Sequence, residues 1–140
     1  TINIMKVNDR KVINESCRTE RLGVGRCVTD IQNVVMNKFQ NSIDESIVTN
    51  YLIGKPVTIT KEYEEVMLHC IDEYIREVIS VFRKYDYNPD LMKLYVVGGG
   101  AVVMKRFSQL TDNVTYITDV CANAKGYEYM AKNVLRKNGV

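Results

Sequence analysis

The sequence predicts an α/β fold on three observations: an alternating opening that reads as a β-hairpin, long segments of helical periodicity, and two short strand-like runs set between the later helices. The order strand, strand, helix, helix, strand, helix, strand, helix excludes all-helical and all-β classes. At 140 residues the chain fits one domain with a real core. Hydrophobic residues at 46%, charged residues at 26% and only two prolines argue against disorder and collagen-like structure.

Thr1 to Val7, TINIMKV, alternates as a strand, and Asn8-Asp9 is a turn signal before a second strand over Lys11 to Thr19. There is no initiator Met and a strand begins at the first residue, so the sequence reads as a piece of a longer protein. Leu22 to Phe39 places Gly23 and Gly25 ahead of an amphipathic helix carrying Val28, Ile31, Val34, Val35, Met36 and Phe39. Asp44 caps a short helix through Leu52, which Gly54 and Pro56 end.

Thr60 caps the longest helix, from Lys61 to Tyr85, with Glu62, Glu64 and Glu65 near its positive end and Arg83 and Lys84 near its negative end. Val66, Cys70, Tyr74, Val78 and Phe82, with Met67, Ile71, Ile75 and Ile79 beside them, form a broad apolar stripe whose simplest role is core packing. Asn88-Pro89 stops that helix. A strand over Lys93 to Val97 then runs through Gly98, Gly99 and Gly100 into a helix to about Leu110, a strand follows over Val114 to Thr118, and a closing helix covers Ala122 to Arg136.

Charge and cysteine usage narrow the function classes. The net charge of +2 is too balanced for a nucleic-acid wrapping surface or an electrostatic membrane anchor. The apolar runs are too short to span a bilayer, and TINIMKVND lacks the blocks of a signal peptide, so a cytoplasmic protein is expected. Cys17, Cys27, Cys70 and Cys121 form no CxxC pair, and the single histidine, His69, has no partner at metal-ligand spacing. The cysteines are expected to be reduced and mostly buried. No activated nucleophile is expected, because one histidine without a neighbouring Ser or Asp supports no triad.

Three consecutive glycines, 98 to 100, need a reason, since glycine costs about 0.5–1 kcal/mol relative to alanine in regular structure. A strand, a glycine turn and a helix favour a phosphate or nucleotide site at the carboxyl end of a sheet, with tight packing as the alternative. GGGAVV lacks the third glycine of a dinucleotide fingerprint and the lysine of a P-loop.

Leu22-Gly23-Val24-Gly25, Gly98-Gly99-Gly100 and Ala122-Asn123-Ala124-Lys125-Gly126-Tyr127, in this order, resemble the second domain of the actin-like ATPases. The resemblance is greatest to the bacterial plasmid-segregation actins of the ParM (StbA) family, and it covers essentially the whole chain. Thr1-Ile2-Asn3-Ile4 resembles the end of that family's DxGxxT phosphate hairpin, and Arg26, Thr29 and Asp30 resemble the corresponding helix start of actin itself. The implied fold is a single ribonuclease H-like domain over 1–140, a mixed sheet starting with the hairpin and flanked by helices, with residues 41–60 as a small helical outer subdomain.

The resemblance implies ATP or ADP with Mg²⁺ as cofactor in the intact protein, bound between two domains through phosphate hairpins. Thr1 would belong to the phosphate hairpin. Gly98, Gly99 and Gly100 would let the nucleotide lie on the backbone, with the helix from Ala101 turned to the α-phosphate. Gly23 and Gly25 would line the ribose wall, and Lys125 would flank the adenine, with plain surface charge as its other role. Glu62, Glu65 or Asp72 would touch the ribose, with a solvated helix face as the other role for each. The first domain is missing, so the resemblance gives this chain no catalytic and no metal-binding residue, and the chain alone is not expected to hydrolyse ATP. The implied partners are further copies in a filament and an adaptor protein loaded on centromere-like DNA, with no direct nucleic-acid or membrane contact. Archaeal, phage and cell-shape actins, sugar-kinase or chaperone relatives, and a non-enzymatic α/β assembly module remain the alternatives.

Overall fold

The computed structural model describes residues 1–139. Its elements are β1 (Ile2–Asn8), β2 (Lys11–Glu20), α1 (Val24–Phe39), α2 (Glu45–Ile53), α3 (Lys61–Lys84), β3 (Leu94–Val97), α4 (Gly99–Phe107), β4 (Val114–Ile117) and α5 (Ala122–Lys137). The chain is therefore mixed α/β. Each expected element forms, with ends displaced by a few residues; the largest displacement is in α4, which stops at Phe107 because Ser108 turns to extended backbone.

The strands do not form the single mixed sheet that was expected. β1 and β2 make one antiparallel pair, and β3 and β4 make a separate parallel pair with no ladder between the two. The hairpin turn also falls one residue later than Asn8-Asp9: Asp9 and Arg10 both adopt left-handed backbone (φ 48° and 62°), the geometry that matches strand twist in a two-residue turn. The register slips between Ile4 and Lys6, and there the Ser16 hydroxyl stands in for a backbone partner, accepting from the Lys6 N–H at 2.7 Å and donating to the Ile13 carbonyl at 2.6 Å.

The core is helical. α3 buries Val66, Met67, Cys70, Ile71, Tyr74, Ile75, Val78, Val81 and Phe82 against Val28, Ile31 and Val35 of α1, Val48 and Leu52 of α2, and Val103 and Met104 of α4. Fully burying one such aliphatic side chain is worth about 1.5–3 kcal/mol, so this interface dominates the fold. The expected caps form: Asp44 accepts from the Ser46 N–H at 2.7 Å, Thr60 accepts from the Tyr63 N–H at 3.5 Å, and Gly54 ends α2 at φ 84°. In β3 and β4, Leu94, Val96, Val114 and Tyr116 face the body, while Tyr95, Val97, Thr115 and Ile117 face outward. Among the described residues no helix is long and apolar enough to cross a membrane.

Candidate functional site

α1 and α3 run antiparallel. The Phe39 ring at the end of α1 stacks on Tyr63 at the start of α3, with centroids 4.2 Å apart. At the other end, the Tyr74 hydroxyl donates to the Leu22 carbonyl at 2.8 Å and Arg26 pairs with Glu77 at 3.0 Å. The start of α4 comes to the same place, since a Cβ at Gly100 would rest in ordinary contact, 3.8 Å, with Val24 Cγ2. Thr1 joins them, because a Cβ at Gly23 would collide with its backbone nitrogen. The fold thus gathers Thr1, Gly23, Gly25, Gly98, Gly99, Gly100 and Ala101 around two neighbouring helix N-termini.

These two helix starts differ from those of α2 and α3. The latter carry side-chain caps and an acidic first turn, Glu45 in one and Glu62 and Glu64 in the other. α1 and α4 begin at Gly23 and Gly98 with no side-chain cap and no acidic residue in the first turn. The Arg26 and Ala101 N–H groups close these first turns on the Gly23 and Gly98 carbonyls at 2.9 and 3.0 Å, so the N–H groups of Val24, Gly25, Gly99 and Gly100, at the positive dipole ends, have no side-chain cap.

The glycines divide by cause. Gly98 sits at φ 94°, ψ −161°, a conformation that L side chains rarely adopt, so the turn itself requires it. Gly23 is required by the close approach of Thr1. Gly25 and Gly99 have ordinary helical backbone and no atom within 4 Å of an added Cβ, so nothing in the fold calls for glycine there.

The remaining sequence-predicted residues lie elsewhere. Glu62 and Glu65 are exposed at the start of α3, the far end of α1 from Gly23, and the 16 residues of α1 span about 24 Å. Asp72 is exposed and pairs with Arg76 at 2.7 Å. Lys125 pairs with Asp119 in the turn before α5. The acidic residues of α3 that do face the start of α1 are Glu73 and Glu77, which line an open groove of about 400 Å³ with Arg26, Asp30, Cys70 and Tyr74. Sequence reading passed over them. The signal was available, since Glu73 and Glu77 flank Tyr74 at helical spacing beside the buried row. Among the described residues, no group of three or more His, Cys, Asp or Glu is arranged to hold a metal ion.

All four cysteines are free thiols, but only Cys27 and Cys70 are buried; Cys17 and Cys121 are exposed, which corrects the expectation that most are inside. Burial, reinforced by the neighbouring Cys70, pushes the Cys27 thiol up to about 12, and burial raises Cys70 as well. Both are therefore protonated and inert at neutral pH. His69 is exposed and lies 3.5 Å from Glu73. Comparison of the chain with protein-family models, with curated proteins and with solved structures found no match.

Proposed function

We propose that this chain is the nucleotide-binding half of an actin-like ATPase of the ParM (StbA) kind, whose intact form assembles ATP-dependent filaments that segregate plasmid DNA through an adaptor protein. The observation that carries the reading is the pair of adjoining, uncapped helix N-termini of α1 and α4, fronted by Gly25 and Gly99, two glycines that the fold itself does not need. A phosphate accepts from free N–H groups at such ends, and missing Cβ atoms let a flat sugar or base lie on the backbone. Helix caps and acidic first turns are supplied at α2 and α3 but not at α1, α4 or α5; of the uncapped starts, those of α1 and α4 are the two that adjoin.

In this reading the residues of the chain bind and orient. Gly99 and Gly100 present their N–H groups to the phosphates, those of Gly98 and Ala101 being taken by the Ile117 and Gly98 carbonyls at 3.0 Å; Gly23 and Gly25 form the facing wall, against which Thr1 lies. The side chains near this cluster are Arg26, Asp30, Glu73 and Glu77 in the α1–α3 groove, and of these Glu77, already held by Arg26, is the better placed for a ribose hydroxyl than Glu62, Glu65 or Asp72. Bound Mg²⁺ would supply charge neutralisation at the phosphates; among the described residues no carboxylate cluster is arranged to hold it. Hydrolysis belongs to the two-domain protein.

Titration calorimetry with Mg-ADP and Mg-ATP tests the proposal. A half cleft should give saturable binding in the range of about 10 µM to 1 mM, or roughly −7 to −4 kcal/mol. No heat from either nucleotide up to several-fold above that range, on the order of 5 mM, contradicts it.

A further inference from the structure

Three consecutive residues at the end of α3 reach across to the hairpin. Lys84 pairs with Glu20 at 3.0 Å, Tyr85 donates its hydroxyl to the same carboxylate, and Asp86 pairs with Lys6 at 3.5 Å. The place of Asp86 is unusual for its side chain. The Asp86 N–H donates to the Arg83 carbonyl and the Tyr87 N–H to the Phe82 carbonyl, both at 3.0 Å, and the Tyr87 ring meets Phe82 edge-on. This pattern closes a helix through one left-handed residue, most often glycine. α2 ends in the same way with Gly54 in that role, the Gly54 and Lys55 N–H groups donating to the Tyr51 and Asn50 carbonyls. α3 instead uses Asp86 at φ 61°, a residue that enters this region less readily than glycine. Glycine would serve the turn; what aspartate adds is a carboxylate for Lys6.

The hairpin divides beside this pair. Ile4 stands opposite Arg18 and Lys6 opposite Ile13, so four residues of β2, Asn14 to Cys17, face Met5 alone. On the root side of this bulge, Ile2 and Ile4 pack against the core and Glu20 is held by Lys84 and Tyr85. On the outer side, every residue from Val7 to Ile13 is exposed. An open groove of about 350 Å³, lined by Lys6, Ile13 and Ser16 of the hairpin and by Tyr85 and Asp86, lies where packing would otherwise join the two. A two-stranded hairpin has little stability of its own, so its outer part depends on what holds it.

We propose that the outer hairpin, Lys6 to Ile13, is a two-position arm that pivots at the bulge, latched to the end of α3 by the Lys6–Asp86 pair and released by salt. The Asp86 side chain is 87% exposed, so dissolved ions screen the pair. An exposed pair contributes little, which keeps the docked and free positions close in free energy, as a switch between them requires. The root does not share this sensitivity, because the packing of Ile2 and Ile4 is not screened.

Amide ¹⁵N relaxation of the chain, from low salt to about 1 M NaCl, tests the inference. Order parameters of Val7, Asn8, Lys11 and Val12 should fall below about 0.6 at high salt, while α3 stays near 0.85. Asp86→Asn and Lys6→Met should each produce the same loss at low salt, and the double variant should fall no further than either single one. Asp86→Gly should free the arm equally while leaving the melting temperature unchanged or raised, since the turn receives its favoured residue. Arm order that ignores both salt and the variants, a double variant whose loss is the sum of the two single losses, or a loss of order in α3 together with the arm would each overturn the inference. None of these outcomes depends on nucleotide binding.

Discussion

α3 and α5 carry the same signature, apolar residues at intervals of three and four along one side, yet α3 buries nine side chains and α5 none. Periodicity says that a helix needs a partner; it does not say whether the partner lies in the same chain. α3 meets α1, α2 and α4 because those helices bring Ile31, Val35, Val48, Leu52 and Val103 to the same interior. α5 leaves from a turn fixed by Asp119 and meets nothing comparable. The same contrast separates the two faces of β3–β4, where Leu94 and Val96 are packed and Tyr95 and Val97 are not.

The largest effect should expose this contrast directly. Ile71→Ala in α3, which opens a cavity where the side chain is 1% exposed, should destabilise the chain by about 2–5 kcal/mol in a denaturant titration. Val134→Ala in α5 should shift stability by less than about 0.5 kcal/mol. Equal effects would mean that α5 is packed on its own body.

A smaller effect is expected at Tyr74, whose hydroxyl donates to the Leu22 carbonyl at the junction of α1 and α3. Tyr74→Phe keeps the packing and strands that carbonyl, at a cost of about 1–2 kcal/mol by thermal or chemical unfolding. Thiol labelling draws the same line between body and periphery without a substitution. Under native conditions Cys17 and Cys121 should react with a disulfide reagent at once, while Cys27 and Cys70 should wait for unfolding.

The smallest effect concerns Glu20, which joins the hairpin to the end of α3. Its carboxylate accepts from the Tyr85 hydroxyl and pairs with Lys84 at 3.0 Å, and these hydrogen bonds, Tyr85's first, hold it below the ordinary glutamate range. A lowered folded value favours the folded state above the ordinary glutamate range, and the benefit fades as pH falls through the lowered value. Glu20→Gln should therefore lower stability slightly at neutral pH and flatten the acid limb of a stability-versus-pH curve.

Much of this fold was legible in the sequence because its signals are local. Asp44, Gly54 and Thr60 act within a turn of their own position, and the α3 stripe follows from spacing alone. Strand association was not legible, since nothing local tells β1 whether its second edge meets β3. The turn at Asp9-Arg10 was missed by one residue because Asn8-Asp9 is the stronger dipeptide signal, although Asp and Arg are the residues that take left-handed backbone. The site divides similarly. The glycine segments could be found by eye, but their convergence, and the facing of Glu73 and Glu77 rather than Glu62 and Glu65, depends on α1 and α3 running antiparallel.

The central claim is that Gly99 serves a ligand and not the fold. Open space surrounds its missing Cβ, whereas Gly98 is tied to its backbone angles. Calorimetric titration of Mg-ADP into the chain and into Gly99→Val tests this directly, with Gly100→Ala, whose new methyl would meet only Val24, as the conservative companion. The account predicts that Gly99→Val folds normally, with stability changed by less than about 1 kcal/mol, and loses nucleotide affinity by a factor of roughly 10 or more. Unchanged affinity in Gly99→Val, or no binding by the parent chain, would contradict it.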